Sequence, residues 1–213
     1  MTIPDTNHAA MRFVRTRAMD LQTRSDSGSA DLYIEGYFAV FDSVYELWPG
    51  AEEVVKPGAF AGVLHDDVRC LINHNSDLVL GRTTAGTLTL REDDRGLWGS
   101  VKINRNDGDA MNLYARVQRG DVDQCSFGFG IEKETVVYKE DGSVRWEIEK
   151  VNPLYEVSVC TFPAYEETGV SARRADWETI QRRRAEAWRE EQRKRLRPSQ
   201  PPDGGSSPRA GGA

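Results

Sequence analysis

Three side chains in this 213-residue sequence could together carry out acyl transfer: Ser126, His74 and Glu156. A serine hydroxyl is a weak nucleophile until a base takes its proton. An imidazole serves best as that base when an acid fixes its tautomer and stabilises the imidazolium that forms. Ser126 lies in Asp123-Gln124-Cys125-Ser126-Phe127-Gly128-Phe129-Gly130. Read as a strand, this segment turns Cys125, Phe127, Phe129 and Ile131 to one face and Ser126, Gly128 and Gly130 to the other. The first face is built to enter a core, and Cys125, the competing nucleophile, goes with it. The second face is almost bare. It suits a barrel corner or bulge, where glycine relieves crowding, or the close approach of another chain to the hydroxyl.

The base and the acid sit in comparable settings. Val68-Arg69-Cys70-Leu71-Ile72-Asn73-His74-Asn75 is a short apolar run ending in a histidine, with the loop signal Asn75-Ser76-Asp77 after it. His74 is therefore expected at a strand end, leaning over a cleft. Leu154-Tyr155-Glu156-Val157-Ser158-Val159-Cys160-Thr161-Phe162-Pro163 is a strand stopped by proline, with Glu156 among apolar residues. A carboxylate there must find a partner. Each residue alone has an ordinary structural role, and spacing along the chain does not bring the three together.

The elements that would position them are mostly strands. Leu32 to Phe41 alternates as a first strand, and Glu53 to Val55 offers another. Pro57-Gly58 breaks the chain before a helical turn through Phe60 and Leu64. Thr87 to Leu90 and Leu97 to Ile103 read as a hairpin around Glu92 to Gly96. Asp107 has the character of an N-cap, and Met111, Tyr114, Ala115 and Gln118 follow at helical spacing up to a stop at Gly120. After the Ser126 strand, Ile131 to Tyr138 and Val144 to Val151 read as a hairpin turning at Asp141-Gly142. The expected fold class is mainly β with flanking helices (α+β). A closed or nearly closed β-barrel removes most strand edges.

Six motifs, in this order along the chain, resemble the tailed-phage prohead proteases, capsid maturation serine proteases of the HK97 type. They are Gly36 to Asp42, Pro57-Gly58-Ala59-Phe60, Asn73-His74-Asn75, Leu80-Gly81-Arg82, Ser126-Phe127-Gly128-Phe129, and Glu156-Val157-Ser158-Val159 with Pro163-Ala164. The resemblance runs from about Ile34 to Val170. It implies Ser126 as nucleophile, His74 as general base and Glu156 as the third, acidic member. It also implies a barrel like that of the distantly similar herpesvirus maturation proteases, whose third member is a histidine. Only His8 and His65 accompany His74 here, and neither follows Ser126, so an acid fits better; Asp77 and Glu53 are the rival acids. The implied activity is endopeptidase cleavage of the scaffolding segment of the major capsid protein and of the protease itself, inside an assembling procapsid in the host bacterial cytoplasm. Homodimerisation is known among the herpesvirus relatives and is open here. A noncatalytic scaffold role in capsid assembly and a small-molecule esterase or amidase are the alternatives.

Composition sets the outer limits. With 29% charged and 38% hydrophobic residues, the chain has room for one modest core plus appendages. No run approaches a membrane span, and Met1 to Leu21 lacks the apolar stretch of a signal peptide. Cys70, Cys125 and Cys160 are odd in number, far apart and each in an apolar strand pattern, so buried free thiols are expected. With no CxxC or His-rich spacing, neither a metal nor a cofactor is expected.

Four segments follow: a flexible arm over 1–30, the protease domain over 31–172, a basic helix over 173–197 and a Pro/Gly/Ser-rich disordered tail over 198–213. The helix carries a thin apolar stripe of Trp177, Ile180 and Trp188. Residues 1–172 hold 17 basic and 28 acidic groups, net −11, whereas 173–197 hold 10 and 5, net +5. An acidic body repels phosphate, so nucleic acid is an unfavoured partner, and an acidic protein partner for the basic helix fits better.

Overall fold

The computed structural model describes residues 12–16, 21–25, 31–162 and 167–196; the expected tail and most of the expected N-terminal arm lie outside them. In chain order the described elements are β1 (Arg12–Thr16), β2 (Gln22–Ser25), β3 (Leu32–Val40), β4 (Tyr45–Trp48), β5 (Ala51–Val55), β6 (Arg69–Ile72), β7 (Asn75–Arg82), β8 (Leu88–Glu92), β9 (Gly96–Ile103), α1 (Gly108–Arg119), β10 (Gln124–Tyr138), β11 (Val144–Cys160) and α2 (Glu167–Leu196). Two of these strands, β1 and β2, fall within the stretch expected to be a loose arm.

The mainly β class holds, but the expected closed barrel does not. The strands form two sheets. One is a seven-stranded sheet ordered β1-β10-β11-β5-β4, with β6 bridging β11 and β7; the other is a four-stranded antiparallel sheet ordered β2-β3-β9-β8. No pairing joins the two among the described residues. The reason lies in β11, which runs 17 residues and changes partner along its length. Its first part pairs in parallel with β5 from Val144 to Ile148, and its last part pairs in parallel with β6 from Glu156 to Val159. A strand that divides its edge in this way makes the sheet branch rather than close.

Apolar alternation makes the core. Cys125, Phe127 and Phe129 are fully buried on one side of β10, as their spacing predicts. Phe127 stacks on Phe129 at 4.8 Å between ring centroids and meets Phe60 edge-on at 5.4 Å. Such pairs add about 0.5–1.5 kcal/mol to what burial alone contributes. Phe60 comes from the segment after Pro57, which forms consecutive three-residue-spaced turns instead of a helix: Ala61 N–H bonds Gly58 C=O, and Val63 N–H bonds Phe60 C=O. The same core takes in Ile34, Phe38, Leu97 and Val101 from the smaller sheet and Leu113 and Val117 from α1. As read from the sequence, Asp107 caps α1 by accepting from Asp109 and Ala110 N–H, and Gly120 ends it in the left-handed conformation.

Two compact units divide the chain at Val170/Ser171. In the second unit, α2 carries its charge in i,i+4 pairs, Glu190 with Lys194 at 2.9 Å and Glu191 with Arg195 at 2.7 Å. Trp188, counted in the expected apolar stripe, is 63% exposed. Among the described residues no helix is long and apolar enough to cross a membrane.

Candidate active site

The geometry around His74 starts with a tight hairpin. Ile72 pairs with Asn75, so Asn73 and His74 alone connect β6 to β7. Both have left-handed backbones, with φ of 52° and 59°. Two-residue hairpin loops favour type I′ and II′ turns, whose twist matches that of the strands, and positive φ at both central positions marks this one as type I′. Asparagine tolerates this region, and histidine enters it more often than most residues. The turn therefore comes two residues before the expected loop, and Asn75-Ser76-Asp77 begin β7.

Asn73 fastens the turn to the end of β11. Its N–H bonds Val159 C=O at 3.0 Å, and its Oδ1 accepts from Thr161 N–H at 2.9 Å. Next along the turn, His74 N–H donates to Ser158 Oγ at 3.2 Å. Behind the hairpin, the Arg82 guanidinium grips Asp67 through two bonds of 2.5 Å. That grip holds the Asp67 carboxyl well below the ordinary carboxylate range. His74 is thus carried on backbone tied at several points, although it stands on a loop.

The carboxylate meets it from β11. His74 Nδ1 lies 2.7 Å from Glu156 Oε1, with both side chains under one-tenth exposed. An ionised carboxylate can only accept, so Nδ1 carries the ring proton and the basic lone pair falls on Nε2. The second carboxylate oxygen, Oε2, accepts from Ser158 Oγ at 2.5 Å. The buried charge therefore has a donor on each oxygen, which is the condition for leaving it in an apolar strand.

Ser126 enters through strand register. It stands directly opposite Ser158 in the β10–β11 pair, and Gly128 stands opposite Glu156. Opposed residues share a face, as do residues two apart, so Ser126, Gly128, Glu156 and Ser158 lie on one face of the sheet. Directly opposed Cβ atoms are about 4.5–5.5 Å apart. Ser158, which touches both His74 and Glu156, thus neighbours Ser126 as well. The sequence reading assigned Ser158 no role, although its place two residues after Glu156 on a strand was a usable signal. Asn73, quoted within the Asn73-His74-Asn75 motif, likewise carried no role of its own.

The bare face has a different cause from open access. Ser126 is 1% exposed, so both faces of this stretch of β10 are buried. A Cβ at Gly130 would come within 2.6 Å of Asn152 C=O. Register shifts occur here between Gly128 and Glu134. Glycine at 130 is needed by a bulged strand pair, as the structural reading of the segment had it.

The competing residues lie elsewhere. Glu53 pairs with Trp146 at the other end of β11, ten residues from Glu156 and roughly 30 Å along the strand at ~3.3 Å per residue. Asp77 is exposed on β7. Cys125 is fully buried on the opposite face, and burial pushes its thiol, like that of Cys70, well above the ordinary range. Burial first, and then the Glu156 charge, raise the Cys160 thiol to about 12. Thiols held protonated are poor nucleophiles. All three are free cysteines. Among the described residues no group of His, Cys, Asp or Glu could hold a metal ion.

The imidazole of His74 and the carboxylate of Glu156 are thus in contact, and strand register sets Ser126 on the same face of the sheet as Glu156. The prohead protease of Enterobacteria phage HK97 is 30% identical over 142 residues, covering 65% of this chain and 60% of that relative's length. No solved structure matches. The family model for the caudovirus prohead serine proteases matches residues 19–183, which contain Ser126, His74 and Glu156, and the chain belongs to that family.

Proposed function

We propose that the chain is a serine endopeptidase of phage capsid maturation, in which Ser126 is the nucleophile, His74 the general base and Glu156 the orienting acid. The observation that carries this reading is the 2.7 Å contact between His74 Nδ1 and Glu156 Oε1, beside a serine set opposite Ser158. His74 Nε2 takes the Ser126 proton as Oγ attacks a peptide carbonyl, then returns it to the leaving amine. Glu156 holds the ring in the productive tautomer and balances the imidazolium. Water completes the cycle by the same path in reverse.

The substrates in this reading are the scaffolding segment of the major capsid protein and the protease's own chain, cut within the procapsid in the host cell. Ser126 is 1% exposed, so a peptide reaches it only after the site opens. The edge strand β1, whose Arg15 stands opposite Ser126, flanks the nucleophile on the side away from β11. The basic stretch of α2 offers an acidic scaffold a docking contact that weakens with salt. Co-expression with the major capsid protein of the same phage, followed by mass spectrometry, tests the reading. Shortened capsid protein with the active chain, and full-length capsid protein with Ser126→Ala, is the expected result. Equal processing by both refutes it.

A further inference from the structure

We infer that Ser158 is a positioning residue of this site, a fourth polar member that sets the angle between acid and base; the inference rests on the assignment of His74 and Glu156 as base and acid. Its hydroxyl is fully buried and has two directed bonds: it accepts from the His74 backbone N–H at 3.2 Å and donates to Glu156 Oε2 at 2.5 Å. The two bonds use the hydroxyl's single proton and one of its two lone pairs. The acceptor bond fixes where the base's backbone sits, and the donor bond fixes the rotation of the carboxylate.

The direction of the second bond is the important one. A carboxylate on a strand can rotate about its terminal torsion, which is broad and roughly two-fold. Only one oxygen can face His74 Nδ1. Donation from Ser158 to Oε2 holds the plane so that Oε1 remains 2.7 Å from the ring. The left-handed backbone of His74 gives this more weight, because that turn is in a strained region and keeps its geometry only while its surroundings fix it. Parallel pairing of β6 with β11, which sets Ser158 beside Leu71 and Glu156 beside Arg69, is what brings the turn within reach of both side chains. Ser158 does not touch substrate in this arrangement. It acts through the other two.

The test is a double-mutant cycle on the full chain, with a peptide substrate and unfolding midpoints measured in parallel. Misplacing a catalytic group by about 1 Å can lower the rate about 10²-fold. In Ser158→Ala, kcat is therefore expected to fall about 10²-fold with KM near that of the parent. Ser158→Cys leaves no cavity, its sulfur being somewhat larger than the oxygen it replaces, but offers only a weak donor, and is expected to show the same loss in a site that stays packed. In a Glu156→Gln background, Ser158→Ala should cost about 3-fold or less, because residues that act as a unit give non-additive losses. Folded Ser158→Ala or Ser158→Cys protein with the parent kcat overturns the inference, as does a full multiplicative loss in the Gln background. Should Ser126→Ala or Glu156→Gln alone leave cleavage intact, the catalytic assignment itself fails, a result distinct from a silent Ser158.

Discussion

Replacing His74 by glycine and by alanine separates the chemistry of the side chain from the strain of its backbone. Both substitutions remove the imidazole, and both leave Glu156, 5% exposed, with Ser158 as its remaining bond on Oε2. That shared loss is of order 1–3 kcal/mol. The two differ only in how they occupy φ of 59°. A Cβ in the left-handed region costs about 1–2 kcal/mol, whereas the freedom of glycine in the unfolded chain returns roughly 0.4–1 kcal/mol. The glycine variant should therefore be the more stable by about 0.5–1 kcal/mol, or about 1–4 °C in Tm for a chain of this length. Urea and thermal unfolding of the purified variants provide the assay, and neither variant should cleave. If alanine is as stable as glycine, the turn is not left-handed at this position and the clamped geometry of the base is wrong.

Other outcomes follow from the same contacts. Glu156→Gln, which retains a hydrogen-bonding shape but loses the charge, should preserve weak cleavage, whereas His74→Ala should be as inactive as Ser126→Ala; a peptide assay ranks the three, and equal loss in all would show that Glu156 does more than orient. Cys70, Cys125 and Cys160 are buried with raised thiol pKa values, so iodoacetamide at pH 8 should leave the folded protein unmodified and fully active, with labelling only after denaturation; rapid loss of activity would expose a thiol in the mechanism. A chain ending at Ala172 should still cut a peptide yet fail to co-assemble with capsid protein, a difference read by sedimentation of procapsids, and normal incorporation would remove α2 from the docking reading.

What was legible in the sequence was local. The faces of β10, the cap at Asp107 and the stop at Gly120 depend on neighbours within a few residues, and each is where its residue types place it. Contacts set by non-local pairing were not legible. Ser158 acts because β6 runs parallel to β11 across a wide sequence separation, and no periodicity reports that register. The same pairing defeats the barrel: β11 serves β5 and then β6, so the sheet branches where closure was expected. The glycines beside Ser126 were ambiguous for a related reason. Gly130 answers to Asn152 on the neighbouring strand, a contact that looks from sequence like room for a ligand.

The identity of the nucleophile can be read directly. The full chain, incubated with a fluorophosphonate probe, digested and analysed by mass spectrometry, should carry one adduct, on Ser126, and the adduct should be lost in His74→Ala, where nothing takes the hydroxyl proton. Cleavage activity should disappear in proportion to labelling. An adduct on another residue, or full cleavage by protein whose Ser126 is quantitatively blocked, would contradict the central claim that Ser126, His74 and Glu156 form the catalytic unit.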